Sequence, residues 1–182
     1  MSLKRSLSEG DITPKKLKII TQEKETQTEK QNFIIGNDKN IGITYDSMEN
    51  SIWLCNYYKN TSINLPLKRW KIFSNELQAV QEQVQKLKEN EVCKYKLHLG
   101  GLMFCSVSSP FKCVNIRKWY RHNYTGELRA SQKGTALKLH EFEDLCNKIE
   151  EISSVAGTDQ IRTCKQDHPD IADETFCAEC NP

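Results

Sequence analysis

From Phe33 onward the chain runs in short apolar–polar alternations broken by turn formers. They are Phe33-Ile-Ile-Gly36, Ile41-Gly-Ile43 and Ser51-Ile-Trp-Leu-Cys-Asn-Tyr-Tyr58, separated by Asn, Asp and Ser. A period of two with such punctuation predicts strands. Leu77, Val80, Val84 and Leu87 then recur at helical spacing behind Asn75, which can cap a first turn. That spacing predicts a helix over 75–90. The unit reads ββββα.

The pattern then starts again. Leu97-His-Leu-Gly100 answers Phe33-Ile-Ile-Gly36 at an offset of 64, and Cys105-Ser-Val107 answers Ile41-Gly-Ile43 at the same offset. Trp119-Tyr120 answers Tyr57-Tyr58 at 62, and Leu145, Ile149 and Ile152 answer Val80, Val84 and Leu87 at 65. Landmarks in order at a nearly constant offset indicate an internal duplication. About 60 residues in one sheet and one helix bury a marginal apolar area. Packing two such units helix to helix, with the helices 75–90 and 139–152 antiparallel, would complete both cores. The expectation is an α+β fold of two tandem ββββα units, 33–92 and 93–153, with curved antiparallel sheets and an intramolecular pseudo-dimer.

Two tails flank this body. Residues 1–32 hold one proline, no aromatic residue and no apolar period, and read as a disordered basic arm. Residues 154–182 form an acidic tail with Cys and His. No run approaches the roughly 18 apolar residues of a membrane span, and the N-terminus lacks a signal-peptide core, so a soluble intracellular chain is expected. Its 8 cysteines are then expected as thiols or metal ligands.

A net charge of +2 conceals an asymmetry. Residues 94–140 carry nine basic residues against the single acid Glu127, whereas 153–182 sum to −4. The basic block is the footprint of a polyanion-binding surface, and a merely solvated basic face is the competing interpretation. Strand alternation places Asn115, Arg117, Trp119 and Arg121 on one face, opposite Val114, Ile116 and Tyr120. Guanidinium groups flanking an indole make poor core, but they suit a platform on which bases stack and phosphates pair.

Val114-Asn-Ile-Arg-Lys-Trp-Tyr120, Gly126-Glu-Leu-Arg-Ala-Ser-Gln-Lys-Gly134 and Thr135-Ala-Leu137 before a helix resemble the single-strand-binding domain of the positive cofactor four family of transcriptional coactivators. The family carries an I-R-x-aromatic-aromatic strand, a G-E-basic hairpin and a K-G-[IV]-[ST]-L strand leading into its helix. The first unit is similar at Phe33-Ile-Ile-Gly36 and Tyr57-Tyr58, but Leu67-Lys-Arg-Trp-Lys71 replaces the K-G signature. The resemblance implies a bent four-stranded antiparallel sheet backed by a helix, paired units, and grooves for single-stranded or melted DNA. It gives the stacking roles to Tyr120 and Phe111, where alternation favours Trp119. It places Lys112, Arg129 and Lys133 along the groove. In the first unit Tyr57, Tyr58, Lys68 and Arg69 are the corresponding candidates. With zero net charge and the acids Asp46 and Glu49 in its hairpin, that unit reads as the weaker binder.

The tails carry three further motifs. Cys164, His168, Cys177 and Cys180, spaced C-x3-H-x8-C-x2-C, are the donor types a tetrahedral zinc site takes, and metal would be what folds them. A reduced acidic tail is the alternative. The other five cysteines lack paired spacing and read as small buried hydrophobes. Lys24-Glu-Thr-Gln-Thr28, with Lys24, Thr26, Gln27 and Thr28 as its determinants, fits the K-x-T-Q-T peptide that dynein light chain captures as an added strand. Lys4-Arg5 and Lys15-Lys16-Leu-Lys18 resemble a bipartite nuclear-import signal, or else a basic arm adding non-specific DNA affinity.

These observations favour a nuclear, non-enzymatic single-stranded-DNA-binding protein of transcription, replication or repair. The alternative is an adaptor that recruits dynein light chain through its arm, with the sheets as scaffold. An enzyme is disfavoured: no phosphate-cradling Gly-rich loop, no nucleophile–His–carboxylate grouping and no HExxH occurs.

Overall fold

The structure is a computed structural model and describes residues 30–36 and 40–167. Strands β1 (Lys30–Ile35), β2 (Ile41–Asp46), β3 (Ser51–Asn56) and β4 (Thr61–Pro66) form one antiparallel sheet in sequence order. A second sheet repeats that order with β5 (Lys94–Gly100), β6 (Met103–Ser108), β7 (Phe111–Arg121) and β8 (Leu128–Lys138). Helices α1 (Leu67–Asn75) and α2 (Leu77–Lys88) follow the first sheet, and α3 (Leu139–Val155) follows the second. A 3₁₀ turn (Thr158–Gln160) and a single-turn α4 (Cys164–Asp167) close the described chain. The fold is α+β. Among the described residues no helix is long and apolar enough to cross a membrane.

Order begins before Phe33, which corrects the boundary drawn at 32. Lys30, Gln31 and Asn32 pair with Asp46, Tyr45 and Thr44. Their polar side chains serve this edge strand: the Lys30 ammonium lies 3.0 Å from the Asp46 carboxylate, and Thr44 Oγ1 donates to Asn32 Oδ1 at 2.7 Å.

The first helix is also not a single helix over 75–90. Leu67, Trp70 and Phe73 are buried and already form an apolar stripe at helical spacing. Asn75 therefore ends α1 instead of capping a later helix, and Glu76 breaks the run with φ −97° and ψ 11°. Residues 67–71, which stand in place of the K-G signature, are the first turns of α1. Counted from the sheet–helix junctions, Leu67, Trp70, Phe73 and Leu77 correspond to Leu139, Phe142, Leu145 and Ile149, an offset of 72. The sequence offset of 65 had aligned α2 with the wrong turns of α3. The added length is the β7–β8 hairpin, whose strands run 11 residues each against 6 in β3 and β4.

The helices cross between the sheets reciprocally. α1 packs on β3, β4 and β5, and α2 on β6, while α3 packs on β7, β8, β1 and β2. Each unit's helical segment thus covers its own last two strands and the other unit's first two. The detail repeats: Arg69 of α1 lies beneath Gly100, and Glu141 of α3 beneath Gly36. A Cβ at Gly100 would sit 2.1 Å from the Arg69 guanidinium, on a backbone at φ +89°. Only glycine fits there. Gln81 of α2 bonds Cys146 of α3, and Lys88 pairs with Glu143, so the contacts run in opposite order along the two helices. Trp70 Nε1 donates to Ser153 Oγ at 3.0 Å. The buried side chains of both sheets and of α1, α2 and α3 form one apolar cluster.

Candidate nucleic-acid interface

Cross-strand partners share a face of a sheet. In the second sheet Leu97, Cys105, Ile116 and Thr135 align, as do Val107, Val114 and Leu137; most of these side chains are fully buried under the helices. Lys96, His98, Phe104, Ser106, Asn115 and Arg117 fall on the opposite, outer face by the same register. Trp119 joins them. Its ring meets Phe104 edge-on at 5.6 Å between centroids, and His98 stacks on the other side of Phe104 at 4.7 Å.

The Lys96 ammonium lies 3.6 Å from the Trp119 centroid and 4.1 Å from that of Phe104. A cation over ring faces is held by their quadrupoles, and burial among the rings pulls Lys96 below the usual lysine pKa. Arg117 donates through Nε to Asn115 Oδ1 at 3.2 Å and through Nη1 to the Ser131 carbonyl at 2.7 Å. It thereby ties β7 to the far strand of its own hairpin.

That hairpin changes register between Arg117 and Trp119. The shift rests on Gly134, where a Cβ would stand 2.7 Å from the Ile116 carbonyl oxygen and 2.8 Å from Arg117 Cα. No side chain fits so close to a neighbouring backbone. Beyond it, residues 118–133 form a largely exposed arm.

The sequence candidates are distributed as follows. Arg117 and Trp119 share the outer face. Tyr120 is 45% exposed and Phe111 68% exposed, while Lys112 donates to Asn90 at the edge of the same strand. Arg121 is exposed on the arm, and Arg129 pairs with Glu127 at 3.0 Å. Alternation and the family pattern had disagreed over Trp119 and Tyr120, and both are now placed. Trp119 is packed and capped by Lys96, whereas Tyr120 is open.

Lys133 belongs elsewhere than the second sheet's own face. With Lys118 and Met103 it lines a cavity of about 350 Å³ against Trp53, Ser62 and Asn64 of the first sheet. In the first unit Tyr57 is exposed and its hydroxyl lies over Gly42, and Tyr58 is exposed in the β3–β4 turn. Lys68 and Arg69 are the first unit's candidate phosphate contacts. Both stand on α1. Arg69 is 6% exposed, with Nη1 3.8 Å from the Cys164 sulfur, and Lys68 pairs with Asp167 at 3.2 Å. They hold the end of the described chain to α1.

Several residues that build the outer face went unremarked in the sequence. Lys96, His98 and Phe104 show only in the alternation of β5 and β6, once the inward partners Leu97 and Cys105 are fixed. Lys59 was equally silent; its charge reaches Cys113 on β7 from the β3–β4 turn of the other unit.

The thiols Cys55, Cys93, Cys105, Cys113, Cys146 and Cys164 are free. Burial pushes Cys105 up to about 12 and Cys146 up to about 11, and it also raises Cys55 and Cys113. Cys164 is buried, and Arg69 Nη1 donates to its sulfur at 3.8 Å. His168, Cys177 and Cys180 lie outside the described residues, as do the light-chain peptide 24–28 and the basic clusters at 4–5 and 15–18.

Compared with known protein families, with curated proteins and with solved structures, the chain matches none.

Proposed function

We propose that this chain is a non-enzymatic single-stranded-DNA-binding protein of the nucleus, serving transcription, replication or repair. In this reading it is a tandem duplicate of a positive-cofactor-four-like unit, folded as an intramolecular pseudo-dimer. Two kinds of support bear on the duplication. Each helical segment covers strands of both sheets in the same reciprocal pattern, and the Arg69–Gly100 and Glu141–Gly36 contacts repeat at equivalent places.

The observation that carries the function is the outer surface of the second sheet. It combines Lys96, Arg117, Phe104 and Trp119 with the exposed ring of Phe111, while the exposed ring of Tyr120 stands on the other face of β7, out on the arm. A soluble fold gains nothing from open aromatic rings among cations, whereas single strands use both: rings stack on bases and cations meet the backbone. A duplex keeps its bases stacked inside and offers those rings nothing.

Titration of labelled single-stranded oligonucleotides at two or more salt concentrations tests this. Log affinity should fall with log salt at a slope of about −2 or steeper, since each neutralised phosphate of a single strand contributes about −0.7. A flat salt dependence, or no binding at low salt, would favour the adaptor reading, with the sheets as scaffold.

A further inference from the structure

We propose that the seam between the two units is a second nucleotide site, built from both of them, in which a base of the bound strand stacks on Trp53. This rests on the single-strand reading above and adds to it a place where the first sheet takes part.

The cavity there holds about 350 Å³ and is walled by side chains from both units. Trp53, Ser62 and Asn64 come from the outer face of the first sheet, where Trp53 and Asn64 are cross-strand partners. Met103, Lys118 and Lys133 come from the second unit, where Met103 and Lys118 are partners across β6 and β7. These six contribute an indole, a thioether, two small polar groups and two ammonium groups, with no carboxylate among them. A flat heterocycle carrying a phosphate satisfies all of these at once: the ring against Trp53 and Met103, the phosphate at Lys118 and Lys133.

Two details point to a built site. Glu49 Oε2 accepts from Trp53 Nε1 and from Asn64 Nδ2, each at 3.0 Å, which fixes the indole edge and the amide orientation together. With its nitrogen committed, Asn64 directs its oxygen away from Glu49, and Asn64 Oδ1 is buried without a hydrogen-bond partner among the described residues. An unmet buried acceptor is costly.

The arrangement also answers a question of charge. The first unit sums to zero and the carboxylate of Glu49 sits on its own outer face. Its outer face carries an aromatic platform at Trp53. The long β7–β8 arm supplies two cations.

The test uses the full chain and a series of oligothymidines of increasing length, with affinity read by fluorescence anisotropy. Trp53→Ala and, separately, Lys118→Glu should leave the shortest binding oligonucleotides unaffected and weaken longer ones, Trp53→Ala by about 5- to 150-fold. Lys118→Glu lies on an exposed strand position and guards against loss of fold as the cause. Photo-crosslinking of a halogenated pyrimidine strand should yield an adduct at Trp53 or Met103. If both variants bind every length as the wild type does while Tyr120→Ala weakens binding, the seam site is wrong and the single-strand reading stands. If the wild type binds no single strand, both fall.

Discussion

Tyr120 and Trp119 are neighbours with different duties. Tyr120 is open to solvent, whereas Trp119 is packed against Phe104 under Lys96. Tyr120→Ala should therefore weaken single-strand binding by roughly 5- to 150-fold, the equivalent of about 1–3 kcal/mol of stacking, with an unchanged melting temperature. Trp119→Ala should lower both affinity and melting temperature, since it also removes a packed ring from the sheet. Gly134→Ala should cost about 1–3 kcal/mol in urea denaturation, because the new methyl must displace the Ile116–Arg117 backbone.

Cys105 offers a pH test. Its thiol ionises near 9.0 in the unfolded chain and is pushed up to about 12 in the fold. Above pH 9 the unfolded state therefore binds fewer protons than the folded one, so this contribution to stability is whole below pH 9 and is lost as pH rises toward 12. Denaturation midpoints should fall over that window, and fall less in Cys105→Ala measured against its own neutral-pH value. Alkylation followed by mass spectrometry should find Cys105 among the last thiols modified.

At the scale of elements, the sequence revealed strands and faces better than it revealed helix boundaries. Alternation in β7 placed Asn115, Arg117 and Trp119 together because Val114 and Ile116 are unmistakably inward. It does not carry across to β8, since the register shift at Gly134 changes the count there, and a bulge leaves no mark in a two-residue period. The first helix was started too late because Lys68-Arg69-Trp70-Lys71 looks like a basic surface run. Its true period, Leu67, Trp70, Phe73, is set by burial against both sheets. Arg69 shows the limit of local patterns: its guanidinium fills the space left by the missing side chain of Gly100, a contact between units that no local pattern encodes. Arg69→Ala should thus lower stability by about 2 kcal/mol, roughly 4–8 °C in melting temperature, and leave single-strand affinity unchanged. A loss of affinity at full stability would return Arg69 to the binding surface.

For the whole molecule, the reciprocal helix packing explains why two small units occupy one chain. Neither sheet's inner face is covered by its own helix alone, so separation would strip apolar surface from both. The two outer faces differ: the second is basic and aromatic, while the first carries Trp53 with Glu49 and meets the lysines of its neighbour's arm. The measurement that bears most directly on this account is a competition. A labelled single strand bound to the full chain is displaced by unlabelled single strand or by unlabelled duplex of the same sequence at physiological salt. The account predicts that the single strand competes at least tenfold better than the duplex, and that Tyr120→Ala erases most of that preference. Equal competition by duplex would mean that the surface recognises backbone charge alone, and would contradict the account.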